Sequence, residues 1–289
     1  MTNAIKADVT SRDGALRFVD AAAIRRGLAS VLRCEAHSLG LPIQHGVGPV
    51  APMQQVPQHY MRRDGADYGL GGRKEVEGFG FADDVIMLAT HGTTHVDALC
   101  HVFAEGRMFG GVPASEVTSA GARQLGVETV PPIVTRALII DAVPQGRTWL
   151  EPGEGISSQQ IDALLGEAGL TPEPGDALIV RTGSVEAYRA GEKHDKSWPG
   201  LSADCVDWVV RHRISIVGAD NIAVEVVPSG IKGCALPLHI GLLRDQGVLF
   251  LELLDLAPFK GRSLAGMLTL NPLKIVGGTA SPLAPMVMI

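Results

Sequence analysis

Four side chains able to bind a metal fall within eleven residues of the segment LATHGTTHVDALCHVF (88–103). They are His91, His95, Asp97 and His101, in a chain with nine histidines in all. Imidazole nitrogen and carboxylate oxygen are donors that suit borderline divalent ions such as Zn²⁺ and Mn²⁺. On a continuous helix His91 and His95 would share a face, but Asp97 and His101 would turn away from His91. On an extended chain all four share one face, because their separations of four, two and four are even. A straight strand would leave His91 about 33 Å from His101, at roughly 3.3 Å per residue, whereas ligand bonds are about 2 Å long. The segment must therefore bend back if the four residues act together, and Gly92 with its two following threonines offers the place. The plainer alternative is a chance grouping of half-buried histidines. The apolar flanks DVIMLA and VF argue against it, since a buried cluster of this kind needs an ion to hold its charge and lone pairs.

Three features elsewhere are chemically unusual. Glu252 lies inside the apolar run VLFLELL (248–254). A buried carboxylate needs a partner, which is either an arginine or, in a functional reading, a further metal ion or a proton to accept. Asp220, Asn221 and Glu225, in GADNIAVE, lie just past a predicted strand end, where open α/β sheets usually place their sites. Turn capping or a surface ion pair is their plainer explanation. His239, in Pro-Leu-His at a predicted helix start, should be held toward the neutral form by the positive end of that helix. A neutral base or hydrogen-bond donor fits that position, as does a core histidine.

The elements that must position these residues alternate between helix and strand after residue 84. Strands are expected over 84–91 (DVIMLATH, running into the cluster), 134–142, 176–183, 214–220, 248–254 and 269–278. A helix over Ser157–Gly169 opens on the capping-box pair Ser157 and Gln160 and closes on glycine. Another spans Ser202–Arg213 with a serine cap, and a short one runs from His239 to Gly247. Upstream, residues 15–35 read as an amphipathic helix. Residues 41–80 read as a long irregular excursion, whose His45, His59 and Tyr60 are possible substrate contacts but more simply surface residues. The organisation expected is an N-terminal helix and irregular extension over 1–84 and an α/β domain over 85–289.

Composition bounds the function. A chain of 289 residues with 46% hydrophobic and 19% charged residues is well buried, not disordered. Its net charge of −6 gives no basic footprint for nucleic acid. No segment reaches the roughly 18–20 apolar residues of a membrane span. The opening MTNAIKADVTSRDG carries charges where a signal peptide would need its apolar core. Cys34, Cys100, Cys205 and Cys234 form no C-x-x-C pair, so reduced thiols and a cytoplasmic location are expected, with Cys100 in the core.

HGTTHVDALCH resembles the H-x-G-T-H-x-D-x-P-x-H signature of the cyclase family of metal-dependent hydrolases, which includes kynurenine formamidase and isatin hydrolase. The resemblance continues through GADNIAVEVVPSG, LPLH and GVLFLELLDL, covering roughly residues 85–278. It implies the family's swivelling β/β/α domain, assembled as a homodimer or homotetramer. It also implies a Zn²⁺ or Mn²⁺ ion on His91, His95 and Asp97. His101 and Glu252 would ligate a second ion together with Asp97, or act on substrate, and His239 would be the general acid/base. Two positions depart from the signature: Thr93 and Leu99 stand where the family has glycine and proline, with a glycine displaced to position 92. The altered bend can shift His101, which favours a single tightly held ion.

An ion with three protein ligands keeps a position for water and lowers its pKa to about 7. That suits hydrolysis of an amide, imide or lactone carbonyl in a small cyclic or aryl substrate. The same ligands would serve a lyase or isomerase that stabilises an enolate. A structural metal in a non-enzymatic binding protein fits less well, since closed structural sites are usually rich in cysteine.

Overall fold

The computed structural model describes residues 13–49, 54–192 and 196–289. The signal-peptide argument concerns the first residues of the chain and lies almost wholly outside that range. Nine strands form one sheet: β1 (Ala36–Ser38), β2 (His95–Asp97), β3 (Ile133–Asp141), β4 (Ala177–Arg181), β5 (Ile216–Ala219), β6 (Leu249–Glu252), β7 (Leu264–Leu270), β8 (Ala280–Pro282) and β9 (Met286–Met288). Their order across the sheet is β1-β9-β7-β3-β4-β5-β6-β2-β8. Strands β3 to β6 run parallel to their neighbours in that group. All the flanking pairs are antiparallel.

The parallel strands are the apolar runs of the sequence. Every residue of β4, β5 and β6 is buried, as is the ALIID end of β3. Burial on both faces is what parallel strands require, because their crossovers cover the sheet. The crossovers carry α2 (Ser158–Glu167), between β3 and β4, and α3 (Cys205–His212), between β4 and β5. The Ser157 and Gln160 capping box forms as the spacing predicts.

Several expected elements move. The helix expected over 15–35 is a 3₁₀ turn at Gly14–Phe18 followed by α1 (Ala21–Ala29), because the Asp20 carboxylate accepts from the Ala22 and Ala23 amides and caps a fresh start. After α1 the chain turns to the sheet, where the Arg33 and Glu35 amides donate to the Ile289 carbonyl and β1 pairs with β9. The first residues of the expected helix at Ser202 are spent elsewhere: the Ser202 amide donates to the Ile156 carbonyl, and α3 begins at Cys205. The strand expected over 269–278 ends at Leu270, one residue before Asn271-Pro272, since proline has no amide to give a ladder.

The strand expected over 84–91 is Asp83–Met87 and does not belong to the nine-stranded sheet. It pairs with Gln58–Arg63 as an exposed hairpin, so the 41–80 excursion contains a strand and one helical turn, Gly65–Gly69. The four cysteines are free, and Cys100 packs in the core. Among the described residues no helix is long and apolar enough to cross a membrane.

One close approach locks α1 to the sheet. A Cβ at the buried Gly27 would lie 2.8 Å from the carbonyl carbon and oxygen of Thr135 in β3. In an exposed helix interior, glycine to alanine gains about 1 kcal/mol. Here the expected sign is reversed: Gly27→Ala should lower the melting temperature, read by circular dichroism, because the neighbouring atoms are backbone and cannot yield.

Candidate metal centre

Strand β2 is only three residues long, and its shortness builds the site. His95 and Asp97 stand on one face, with Val96 on the other. The antiparallel register sets Glu252, at the end of β6, directly opposite His95. Cross-strand partners share a face about 5 Å apart, so the β2–β6 pairing alone delivers three ligand-type side chains to one spot. Turns at both ends return the remaining two. The Gly92 amide donates to the Ala89 carbonyl before the strand, and the His101 amide donates to Ala98 after it. The rings of His91 and His101 thereby come within 4.1 Å of each other. The bend expected at Gly92 is present, and a second one at Ala98–His101 completes the return.

Asp97 is fully buried at the centre. Its Oδ1 lies 3.0 Å from His91 Nδ1 and 3.3 Å from His95 Nε2, and its Oδ2 lies 3.7 Å from His239 Nε2. Glu252 lies 3.6 Å from His95 and 3.4 Å from His239. The candidate ligand atoms form two overlapping sets, His91/Asp97/His101 and His95/Asp97/Glu252. This grouping differs from the one the sequence suggested, because strand register pairs His95 with Glu252 while the two turns pair His91 with His101. His101 is in place despite Thr93 and Leu99, which removes the reason for favouring a single ion.

The fit to a cation rests on unmet valences. His95 Nε2 and both carboxylate oxygens of Asp97 are buried with no hydrogen-bond partner, a state that costs several kcal/mol unless something fills the gap. His95 Nδ1 lies 2.8 Å from the Thr93 carbonyl, which fixes the tautomer: Nδ1 donates and Nε2 presents a lone pair to the centre. His91 Nε2 meets Thr279 Oγ1 at 3.2 Å, leaving Nδ1 toward Asp97.

The charges follow from these neighbours. Burial opposes ionisation of Asp97, but the imidazoles of His101, His91 and His95 outweigh it and hold its carboxyl well below the usual range. For Glu252 burial is likewise overcome, chiefly by His239. His101 is pushed down to about 4 by burial, with the neighbouring histidines adding to the effect, and stays neutral. Burial also opposes charge on His239, yet its hydrogen bonds to Glu225 and Glu252 push it up to about 10. This corrects the expectation of a neutral His239 at a helix start. The helix there, His239–Arg244, is π-helical, and its positive end is already occupied by the Glu225 carboxylate. The partly buried neutral imidazole of the site is His101.

Asp220 and Asn221, expected to touch substrate, have structural duties instead. Both are buried; Asp220 accepts from the Thr182 amide and hydroxyl and the Gly183 amide, while Asn221 Nδ2 donates to the Pro199 carbonyl. His59 pairs with Asp84 at 2.7 Å, and His45 packs edge-on to Tyr60 on the exposed hairpin. Glu225, which sequence reasoning left between turn capping and a site role, is the residue it undervalued. Its signal was a carboxylate set among apolar neighbours, in AVEVV.

The fold and this cluster define a protein of the Cyclase family. The family model matches residues 37–226, and the chain belongs to that family. A crystal structure described as a novel cyclase is 31% identical over 97% of both chains, with a TM-score of 0.87. Isatin hydrolase A from Labrenzia aggregata, bound to benzyl benzoate, shares the fold at a TM-score of 0.68 and 19% identity, over 92% of this chain and 98% of that one. A protein described as a predicted metal-dependent hydrolase from Bacillus stearothermophilus matches at a TM-score of 0.55 and 19% identity, over 88% and 97% of the two chains. No curated protein sequence is significantly similar. The mixed α/β fold with a curled sheet is therefore the family's, as the resemblance implied.

Elemental analysis tests the centre directly. The protein purified in Zn²⁺ or Mn²⁺ should retain the ion through desalting, and His95→Ala and Asp97→Ala should lose at least one equivalent. Equal metal content in wild type and both variants would remove the site as described.

Proposed function

We propose that the protein is a metal-dependent hydrolase acting on the amide, imide or lactone carbonyl of a small cyclic or aryl substrate. One observation carries this reading: His95 Nε2 and both oxygens of Asp97 converge, buried and unpartnered. The presence of isatin hydrolase and of a protein described as a predicted metal-dependent hydrolase among proteins of the same fold supports it. His95, Asp97 and Glu252 would hold a divalent ion, with His91 and His101 on the other side of Asp97. Such an ion supplies a Lewis acid that polarises a carbonyl and lowers the pKa of water.

The chain's own groups do the rest. The Thr93 carbonyl and the Thr279 hydroxyl orient His95 and His91, so the donor atoms need no rearrangement. His101, half-buried and neutral, takes a proton from the attacking water at a ring nitrogen and returns it to the leaving nitrogen or oxygen. His239, buried and cationic between two carboxylates, suits holding those carboxylates in place better than exchanging protons with a substrate. A cavity of about 750 Å³ whose lining includes Leu41, Ile43, Ile86, Leu88 and Leu283 reaches Thr93, two residues before His95, with none of the candidate ligands in its wall. Its apolar walls and its size, within the ~300–1,000 Å³ of ligand sites, suit a ring.

Assembly with a second copy of the chain belongs to the same reading. In the excursion that carries the exposed hairpin, Leu70, Val76, Phe79 and Met87 are 88, 72, 66 and 58% exposed. Three charged pairs there are satisfied locally, Arg62–Asp83 at 3.3 Å, Arg73–Asp67 at 3.0 Å and His59–Asp84 at 2.7 Å. An apolar surface with part of its charge already paired suits a self-complementary interface, of which a standard one buries ~800 Å² per partner. Four free cysteines suit the cytoplasm.

Two measurements test these statements. The metal-loaded protein should open members of a panel of cyclic imides, lactones and aryl amides, and His101→Ala should lose about 10²–10⁴-fold in kcat with its metal content unchanged. Loss of the metal in that variant would make His101 a ligand; tight binding of a panel member with no turnover by wild type would favour a binding protein. Light scattering should give a dimer or tetramer, and Leu70→Glu with Phe79→Glu should shift it toward monomer without lowering the melting temperature. A wild-type monomer at micromolar concentration would refute the assembly.

A further inference from the structure

Glu225 is fully buried and touches none of the ligand sets described above. Its carboxylate is nonetheless saturated by one short segment. Oε2 accepts from the Leu238 amide at 2.9 Å, while Oε1 accepts from the His239 amide at 2.9 Å and lies 2.7 Å from His239 Nδ1. The two amides fix the backbone that bears His239, and the contact to Nδ1 fixes the ring. With Nδ1 donating to a carboxylate, the other ring nitrogen must face away from Glu225. It faces Asp97 and Glu252, at 3.7 and 3.4 Å. Phe250, whose ring centroid is 4.7 Å from that of His239, blocks rotation on another side.

The backbone under Glu225 is held at a cost. Ala223 and Val224 have φ of 76° and 59°, a left-handed region that costs a β-branched residue of order 1–3 kcal/mol. The segment 198–201 clamps it. Leu201 donates to the Val224 carbonyl and accepts from the Val226 amide, and Gly200 passes so close that a Cβ would lie 2.5 Å from the Val224 oxygen. A strained, clamped strip of chain that presents one buried carboxylate to one imidazole is what an orienting device needs.

We propose that Glu225 is a positioning residue that turns the Nε2 of His239 into the metal centre, so that metal affinity depends on Glu225 through His239. The inference rests on the metal-dependent reading above. A carboxylate on the far nitrogen fixes which ring nitrogen faces Asp97 and Glu252, and removing an outer partner that orients a metal's ligands typically costs 10–100-fold in metal affinity. A carboxylate that merely caps the start of the π-helix would affect stability alone.

The test is a double-mutant cycle on Zn²⁺ or Mn²⁺ affinity, measured by chelator competition in wild type, Glu225→Gln, His239→Ala and the double variant. Glu225→Gln should weaken binding 10–100-fold, and should weaken it no further in the His239→Ala background. Unchanged affinity in Glu225→Gln, or an equal loss in both backgrounds, would overturn the proposal. Should Glu225→Gln fail to fold, nitrogen NMR of the metal-loaded wild type decides: a proton on His239 Nδ1 supports the positioning role, and a bare Nδ1 overturns it. Wild type that binds neither ion fails the functional reading and takes this inference with it. Wild type that binds an ion as tightly as Glu225→Gln leaves the functional reading standing and refutes only this one.

Discussion

The structure depends on a single buried carboxylate. Asp97 has no solvent exposure, and its oxygens have no hydrogen-bond donor of their own. A charge in that position is tolerable only if opposite charge surrounds it. Four imidazoles converge on it, from His91, His95, His101 and His239, each brought by a different piece of backbone geometry, and His239 carries positive charge while His101 stays neutral. The demand for compensation at this point explains why the site needs a strand, two turns, a neighbouring strand and a π-helical segment to converge.

The sheet makes that convergence affordable. Its parallel middle is buried throughout β4, β5 and β6, and β6 leaves it carrying one carboxylate at its last residue. The antiparallel strand β2 is then added beyond it in a register that pairs Glu252 with His95. A slip of one residue would turn His95 and Asp97 to the opposite face. Leu253, immediately after Glu252, has φ of 56°, and its amide donates to the Asn221 carbonyl. Strain on this side and at Ala223–Val224 on the other flanks the site, as expected where the backbone serves side-chain placement over its own comfort.

Asp220 and Arg181 show how the surrounding polar groups stabilise the same strand ends without entering the chemistry. Arg181 is fully buried between Asp141 at 2.8 Å and Glu186 at 2.6 Å, and Asp220 ties Thr182 and Gly183 to the end of β5. Both are the buried, satisfied polar contacts that sheets of this kind need where strands give way to loops. A carboxylate at a strand end is therefore ambiguous until its partners are seen.

How much of this was legible in the sequence follows from how local each signal is. Residue types, even spacing and apolar flanks determined that His91, His95, Asp97 and His101 form one buried cluster and that the chain must bend near Gly92. The apolar runs determined the parallel strands, and the Ser157–Gln160 spacing determined the start of α2. What only the tertiary structure decided are relations between distant segments. The sequence holds no trace of the register that sets Glu252 against His95, since the strands are more than 150 residues apart in the chain. Nor does it hold the pairing of Glu225 with His239, which reverses the protonation expected from a helix start alone. Residues 84–91 read as a strand entering the site because they open with an apolar, partly β-branched run, yet the strand's partner is Gln58–Arg63 and not β2. Local pattern specifies which face a residue takes; the charge it bears and the role it plays are set by what the fold places opposite that face.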